Sequence, residues 1–282
     1  MKTIYTIIPF LMGLFCLSVS GQAFHMPAAS PHVTIDQAFS TSFIKLDYSR
    51  PSKNGRKVFG ALIPYGQVWR TGANATTKIT FGEEVNFGGE VVEPGEYALY
   101  TIPGETSWQV LLNKGVDNWG ADGFDAQENL VEIEVPVERL DRVQESFALS
   151  LESLSKDKAV LRLDWDDTRI EVPITADNDA RIMAYLQEQL QKDQPPYMQI
   201  AGYYLQTNRK LDDALQYVNA AIAAKPQYYM YWTKAQILEK LDRHTEALEA
   251  AKTAVDVARK EHPAFVYEYQ RNYENLRDGK LK

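Results

Sequence analysis

An antiparallel β-sandwich followed by an all-helical domain, an α+β multidomain architecture, is what this sequence predicts, and three patterns predict it. From 33 to 174 the chain is written in short β-rich runs separated by turn residues. At Asp177 the apolar spacing changes from two to three and four, the period of a helix. Beyond that point six positions recur 33 residues later, as repeated helical hairpins do.

Residues 1–23 read as a secretory signal peptide, with Lys2 as the charged start, 7–17 as the apolar core, and Gly21 and Ala23 as cleavage-site residues. Cleavage after Ala23 is preferred to cleavage after Gly21. Pro9 interrupts the apolar run, which is shorter than the ~20 residues of a spanning helix, so no stable membrane insertion is expected. Phe15, not a small residue, precedes Cys16, which argues against a lipidated cysteine. Cys16 is the only cysteine, so the mature protein has no disulfide and no thiolate metal site. The expected location is exported: periplasmic, or at the cell surface or beyond it. With 30 Lys and Arg against 38 Asp and Glu, a formal net charge of −8 makes nucleic acid an unsuitable partner.

Residues 24–32 (FHMPAASPH) read as a flexible leader, and 33–176 as the β-sandwich domain. Runs at 79–81, 96–102, 108–113, 130–136, 147–154 and 159–165 alternate or are rich in aromatics. Gly88-Gly89, Pro94-Gly95, Pro103-Gly104 and Asp166-Asp167 read as turns between them. In LRLDWDDTRIEVPI the pattern predicts a hairpin, with Leu161, Leu163 and Trp165 on one side of the Asp166-Asp167 turn and Ile170, Val172 and Ile174 on the other.

Residues 177–282 form the helical domain, opening with Asp177 or Asn178 as a cap. Met198, Gly202, Leu205, Ala214, Val218 and Ala221 recur as Tyr231, Ala235, Leu238, Ala247, Ala251 and Ala254. The pattern resembles tetratricopeptide repeats, in which a small residue of one helix meets a small residue of the next. That resemblance implies a surface for a protein partner. An unrelated helical hairpin bundle rich in alanine is the alternative. The closing segment, with Phe265, Tyr267, Tyr269 and Tyr273, either caps the stack or fills its groove.

No histidine lies between 33 and 243, and the chain has no HExxH, GxSxG or Gly-rich phosphate loop, so no catalytic residue, cofactor or metal is assigned. Asp117, Asp122, Asp125 and Glu128 crowd one loop, with calcium ligation or simple solvation as the two readings. Arg50, Lys53, Arg56 and Lys57 fall within eight residues, and Arg70 and Asn74 follow beside Trp69. An Arg fork beside an aromatic ring and an amide can grip a carboxylate, phosphate or sugar hydroxyl. The alternative is architectural, with the arginines pinning loops and Trp69 filling the core.

The phrases SRPSKNGRKVFG, VWRTGANATT and VEPGEYALYTIPGETSW, in that order, resemble the bacterial family called domain of unknown function 2911 over 33–174. Asn113 and the Trp119-Gly120 turn also match its pattern. Members usually continue with an acidic residue and an Arg that opens the next strand, where this chain has Leu130, Val131 and Glu132. The candidate ligand-binding set is therefore Arg56, Trp69, Arg70, Asn74, Asn113 and Trp119, for a small anionic or sugar ligand. The expected role is a non-enzymatic envelope binding or scaffolding protein; the alternative is a carbohydrate-active or other hydrolase module using Arg70, Asn74 and the acidic loop, which calls for Arg56, Arg70, Asn74 and a carboxylate around one pocket.

Overall fold

The computed structural model describes residues 26–280, so the signal peptide, Cys16 and His25 lie outside the described residues. The chain divides into two compact units between Ala176 and Asp177. Among the described residues, no helix is long and apolar enough to cross a membrane.

The first unit holds β1 (His32–Phe39), β2 (Ser42–Ser49), β3 (Lys78–Phe81), β4 (Val85–Phe87) and β5 (Glu90–Val92). β6 (Gly95–Ile102), β7 (Ser107–Asn113), β8 (Asn129–Pro136), β9 (Glu138–Ser155) and β10 (Lys158–Thr175) follow. They make a six-stranded sheet in the order β1-β2-β3-β6-β7-β8 and a four-stranded sheet in the order β5-β4-β10-β9. Every ladder is antiparallel.

Alternation explains these strands. In β2, Ile44, Leu46 and Tyr48 are buried while Lys45 and Asp47 between them are partly exposed. Leu46, Ile79, Leu99 and Trp108 of one sheet and Phe87, Leu149, Leu163 and Val172 of the other belong to a single apolar cluster. Its centre is aromatic: Trp69 stacks on Trp165 at 5.8 Å and meets Phe59, Trp108 and Phe147 edge-on. Trp108 Nε1 is buried with no hydrogen-bond partner among the described residues, and the Phe59 ring lies edge-on to its indole at 4.6 Å.

The long segment 50–77 contains no strand of its own, yet it supplies Val58, Phe59 and Trp69 to this core. Paired backbone hydrogen bonds between Trp69 and Thr101, at 2.8 and 2.9 Å, lash it to β6. β6 and β7 are covered on both faces. Ala98, Tyr100 and Leu111 point away from the main core and are sealed by Val68, Val116 and Phe124.

The hairpin expected at Asp166-Asp167 is not there. β10 runs unbroken from Lys158 to Thr175, and the chain reverses instead at 156–157, between β9 and β10. Asp166 is a bulge: its φ is +58°, and the register with β9 shifts on both sides of it. Buried positions therefore switch from odd numbers (Leu161, Leu163, Trp165) to even ones (Ile170, Val172, Ile174) within one strand. A change of parity looks like a turn in sequence, because both break the alternation at two polar residues.

The second unit contains α1 (Asp179–Gln189), α2 (Tyr197–Gln206), α3 (Leu211–Ala224), α4 (Tyr228–Lys240), α5 (His244–Glu261) and α6 (Val266–Arg277). α2 packs on α3 and α4 on α5, with α3 on α4 and α5 on α6 joining the pairs. α2, α4 and α6 end alike. At each end a residue at positive φ (Asn208, Asp242, Gly279) returns its N–H to Leu205, Glu239 or Leu276, and the next N–H reaches Tyr204, Leu238 or Asn275.

Those ends amend the uniform 33-residue offset. Tyr204 and Leu238 are equivalent by their capping bonds, 34 positions apart, and buried Ala201 correspondingly matches buried Ala235. In the second helices the 33-residue offset holds, with Ala214, Val218 and Ala221 matching Ala247, Ala251 and Ala254, all buried. The extra residue lies in the first hairpin's turn, where Lys210 adds a second left-handed residue at φ +47°. Gly202 is thus not a close-approach position: a Cβ built there meets no atom within 4 Å.

Candidate functional site

Residues 67–70 run alongside β6, so their side chains alternate: Trp69 enters the main core while Val68 joins the outer cluster. Arg70 follows on the outer side, next to a turn at 118–120. That turn is held by a short antiparallel bridge between Ala75 and Trp119. Thr76, almost fully buried, places its hydroxyl 3.0 Å from the Asn118 carbonyl and 2.8 Å from that of Gly120.

Asn74 sits at φ +63°, and its backbone carbonyl accepts both Arg70 Nη1–H at 3.0 Å and Gly120 N–H at 3.2 Å. One oxygen thereby fixes the guanidinium and the turn relative to each other. Gly120 itself has φ +75°, and a Cβ built on it would lie 2.7 Å from Arg70 Nη1. Trp119, carried on this turn, is 66% exposed.

Trp69, Arg70, Trp119, Gly120, Ala121 and Asp122 line an open hollow of about 400 Å³ together with Val68. Arg70 makes its one side-chain hydrogen bond to Asn74 and no ion pair among the described residues. Asp122 is exposed in the same hollow. The guanidinium offers donors, the carboxylate an acceptor and the indole an apolar face.

Of the six candidate residues, the structure brings Trp69, Arg70 and Trp119 to this hollow and sets Asn74 behind it as the carbonyl that braces Arg70. Arg56 is elsewhere. Its Nε and Nη2 donate to the carbonyls of Lys53 and Ser52, each at 2.7 Å, closing its own turn. Asn113 is fully buried, donating to the Asp125 carbonyl at 2.8 Å and to Asn129 Oδ1 at 2.7 Å while accepting Gly115 N–H at 2.8 Å. It holds the loop 114–128 from within.

The remaining cations of the basic run are dispersed as well. Arg50 Nε donates to the Phe147 carbonyl at 2.8 Å, and Lys53 forms an ion pair with Asp166. In the acidic loop Asp125 caps a short 3-10 turn by accepting Gln127 N–H, and Asp117 lies 3.8 Å from Lys78. Among the described residues no group of three or more His, Cys, Asp or Glu is arranged to hold a metal ion.

A family model described as "Protein of unknown function (DUF2911)" matches residues 30–174. The chain belongs to that family. Comparison with curated proteins and with solved structures gave no match. The DUF2911 match takes in both sheets and the whole hollow, whereas the six helices fall beyond it. Sequence reasoning joined the acidic loop to Arg70 and Asn74 only in the hydrolase alternative and did not single out Asp122 among its four acids. The signal that joins them is the pair of left-handed residues, Asn74 and Gly120, and it is visible only once the two turns pair.

Proposed function

We propose that this chain is an exported, non-enzymatic binding protein of the cell envelope. Its helical unit is a short tetratricopeptide-like array that holds a protein partner, and its DUF2911 unit carries a second recognition surface at the Arg70–Trp119 hollow. The N-terminal pattern at 1–23 supports export, to the periplasm or the cell surface.

The observation that carries the binding role is the equivalence of the two helical hairpins. Both first helices end in the same capping bonds, and both second helices bury a seam of small residues, Ala214, Val218 and Ala221 in one and Ala247, Ala251 and Ala254 in the other. Stacked hairpins of this kind leave the outward side of their helices available to a partner. Here Tyr229 on α4 and Tyr267 on α6 are exposed aromatics of the sort that anchor interfaces. The hydrolase alternative calls for Arg56, Arg70, Asn74 and a carboxylate around one hollow, and Arg56 is bound into its own turn instead.

Affinity capture from an envelope extract with the mature protein and with a Tyr229→Asp/Tyr267→Asp variant tests this proposal. A protein recovered by the first and lost with the second, both folded by circular dichroism, supports it. Equal recovery by both removes the helical face as the binding surface.

A further inference from the structure

We infer that the hollow between Arg70 and Trp119 takes a monoanionic sugar ring, a hexuronic acid residue of a glycan. The inference rests on the hollow being a recognition surface and names its ligand class. A volume of about 400 Å³ lies within the range of about 300–1,000 Å³ typical of small-molecule sites. Three chemistries meet in it, and each selects against a different class of ligand.

Arg70 supplies the charge. Its Nη1 is committed to Asn74, which orients the fork, and the guanidinium forms no ion pair among the described residues. A planar carboxylate is the group such a fork binds with two parallel hydrogen bonds. Asp122 shares the hollow and is exposed, so a dianion such as phosphate meets a like charge where a hydroxyl meets an acceptor. The formal charge of −8 on the whole chain works in the same direction against polyanions.

Trp119 supplies the third selection. A side chain of this size that is 66% exposed on a turn fixed by backbone hydrogen bonds presents a flat apolar face at little cost in conformational entropy. Acetate and phosphate have nothing to stack there. An aromatic carboxylate stacks and pairs with Arg70, but gives Asp122 no hydroxyl to accept. A hexuronate has all three: one carboxylate, several hydroxyls and a C–H face.

The test is titration of the mature protein with methyl glucuronide, read by tryptophan fluorescence and by calorimetry, beside methyl glucoside, benzoate, acetate and inorganic phosphate. Saturable binding of the glucuronide, at least tenfold tighter than any of the others, is expected. Trp119→Ala and Arg70→Lys should each weaken it about tenfold, and Asp122→Asn should narrow its margin over benzoate. Trp119→Ala and Asp122→Asn alter exposed side chains, so the test survives if Arg70→Lys disturbs the fold. Equal binding of the glucoside, benzoate, acetate or phosphate overturns the hexuronate and leaves a recognition surface of another class. Silence with every probe in folded protein overturns the hollow as a recognition surface as well.

Discussion

The guanidinium of Arg70 occupies the space in which Gly120 would carry a side chain: a Cβ there would stand 2.7 Å from Nη1. Because Gly120 also has φ +75°, both its backbone and its missing side chain are used. Gly120→Ala should cost about 1–3 kcal/mol of stability from the left-handed backbone alone. It should also push Arg70 off the Asn74 carbonyl. Denaturant unfolding measures the first effect, and loss of ligand affinity beyond that of Trp119→Ala reports the second.

The two exposure classes of tryptophan separate cleanly. Trp165 is buried against Trp69, Phe59 and Phe147, so Trp165→Ala should destabilise the first unit by about 3–5 kcal/mol. Trp119→Ala should change stability by no more than about 0.5 kcal/mol, since its ring contributes little to the core. Urea unfolding of the two variants compares them directly.

Asp166 joins the β10 bulge to the segment before it. Its carboxylate pairs with Lys53 and accepts Val58 N–H at 3.3 Å, and its backbone is left-handed. Asp166→Ala removes the acceptor from both donors and puts a poorly suited residue at φ +58°, for a loss of about 3 kcal/mol. Asp166→Asn, which tolerates that φ and keeps an acceptor, should lose less than half as much. Equal losses would show that the carboxylate charge, not the bulge geometry, dominates.

Gly202 lies inside α2 with open space around it, so Gly202→Ala should stabilise the helical unit by about 0.5–1 kcal/mol. Ala201→Leu, one position earlier and fully buried, should destabilise it by about 1–3 kcal/mol. Thermal melts of the pair test the 34-residue equivalence of the first helices, because a 33-residue equivalence predicts the opposite ranking.

Alkaline pH should melt the helices. Burial, together with the hydrogen bond and charge of Asp179, pushes the Tyr203 hydroxyl from 10.0 up to about 12, and burial raises Tyr269 to about 12 as well. The neutral phenols are favoured in the folded state, so their contribution is complete below pH 10 and fades as pH climbs from 10 towards 12. Tyr203→Phe and Tyr269→Phe should each flatten this slope in helical circular dichroism. An unchanged slope in both would rule out these two groups.

The strands most legible in the sequence were apolar runs bounded by Pro-Gly turns, such as β6 and β7 on either side of Pro103-Gly104. The segment 50–77 was not legible as core, because Phe59 and Trp69 reach the interior without a strand period around them. Arg70 and Trp119 were visible as residues of a suitable chemical type, but their proximity depends on Asn74 and Gly120 meeting across 46 residues of chain. Arg56 and Asn113 looked equally suitable. What separates them is which backbone carbonyls lie within their reach, and that is decided by tertiary contacts.

A strand that buries one face is a two-letter code, and Asp166 shifts its frame. Deleting one residue at 166–167 would give β10 an unbroken alternation, a string that looks better formed than the natural one. Both apolar sets would then share one face of a regular strand, but the left-handed step at which the pairing with β9 changes register would be lost. The two aspartates are therefore a counted length: substitution at 166 removes side-chain bonds, whereas a change of length removes the register change itself.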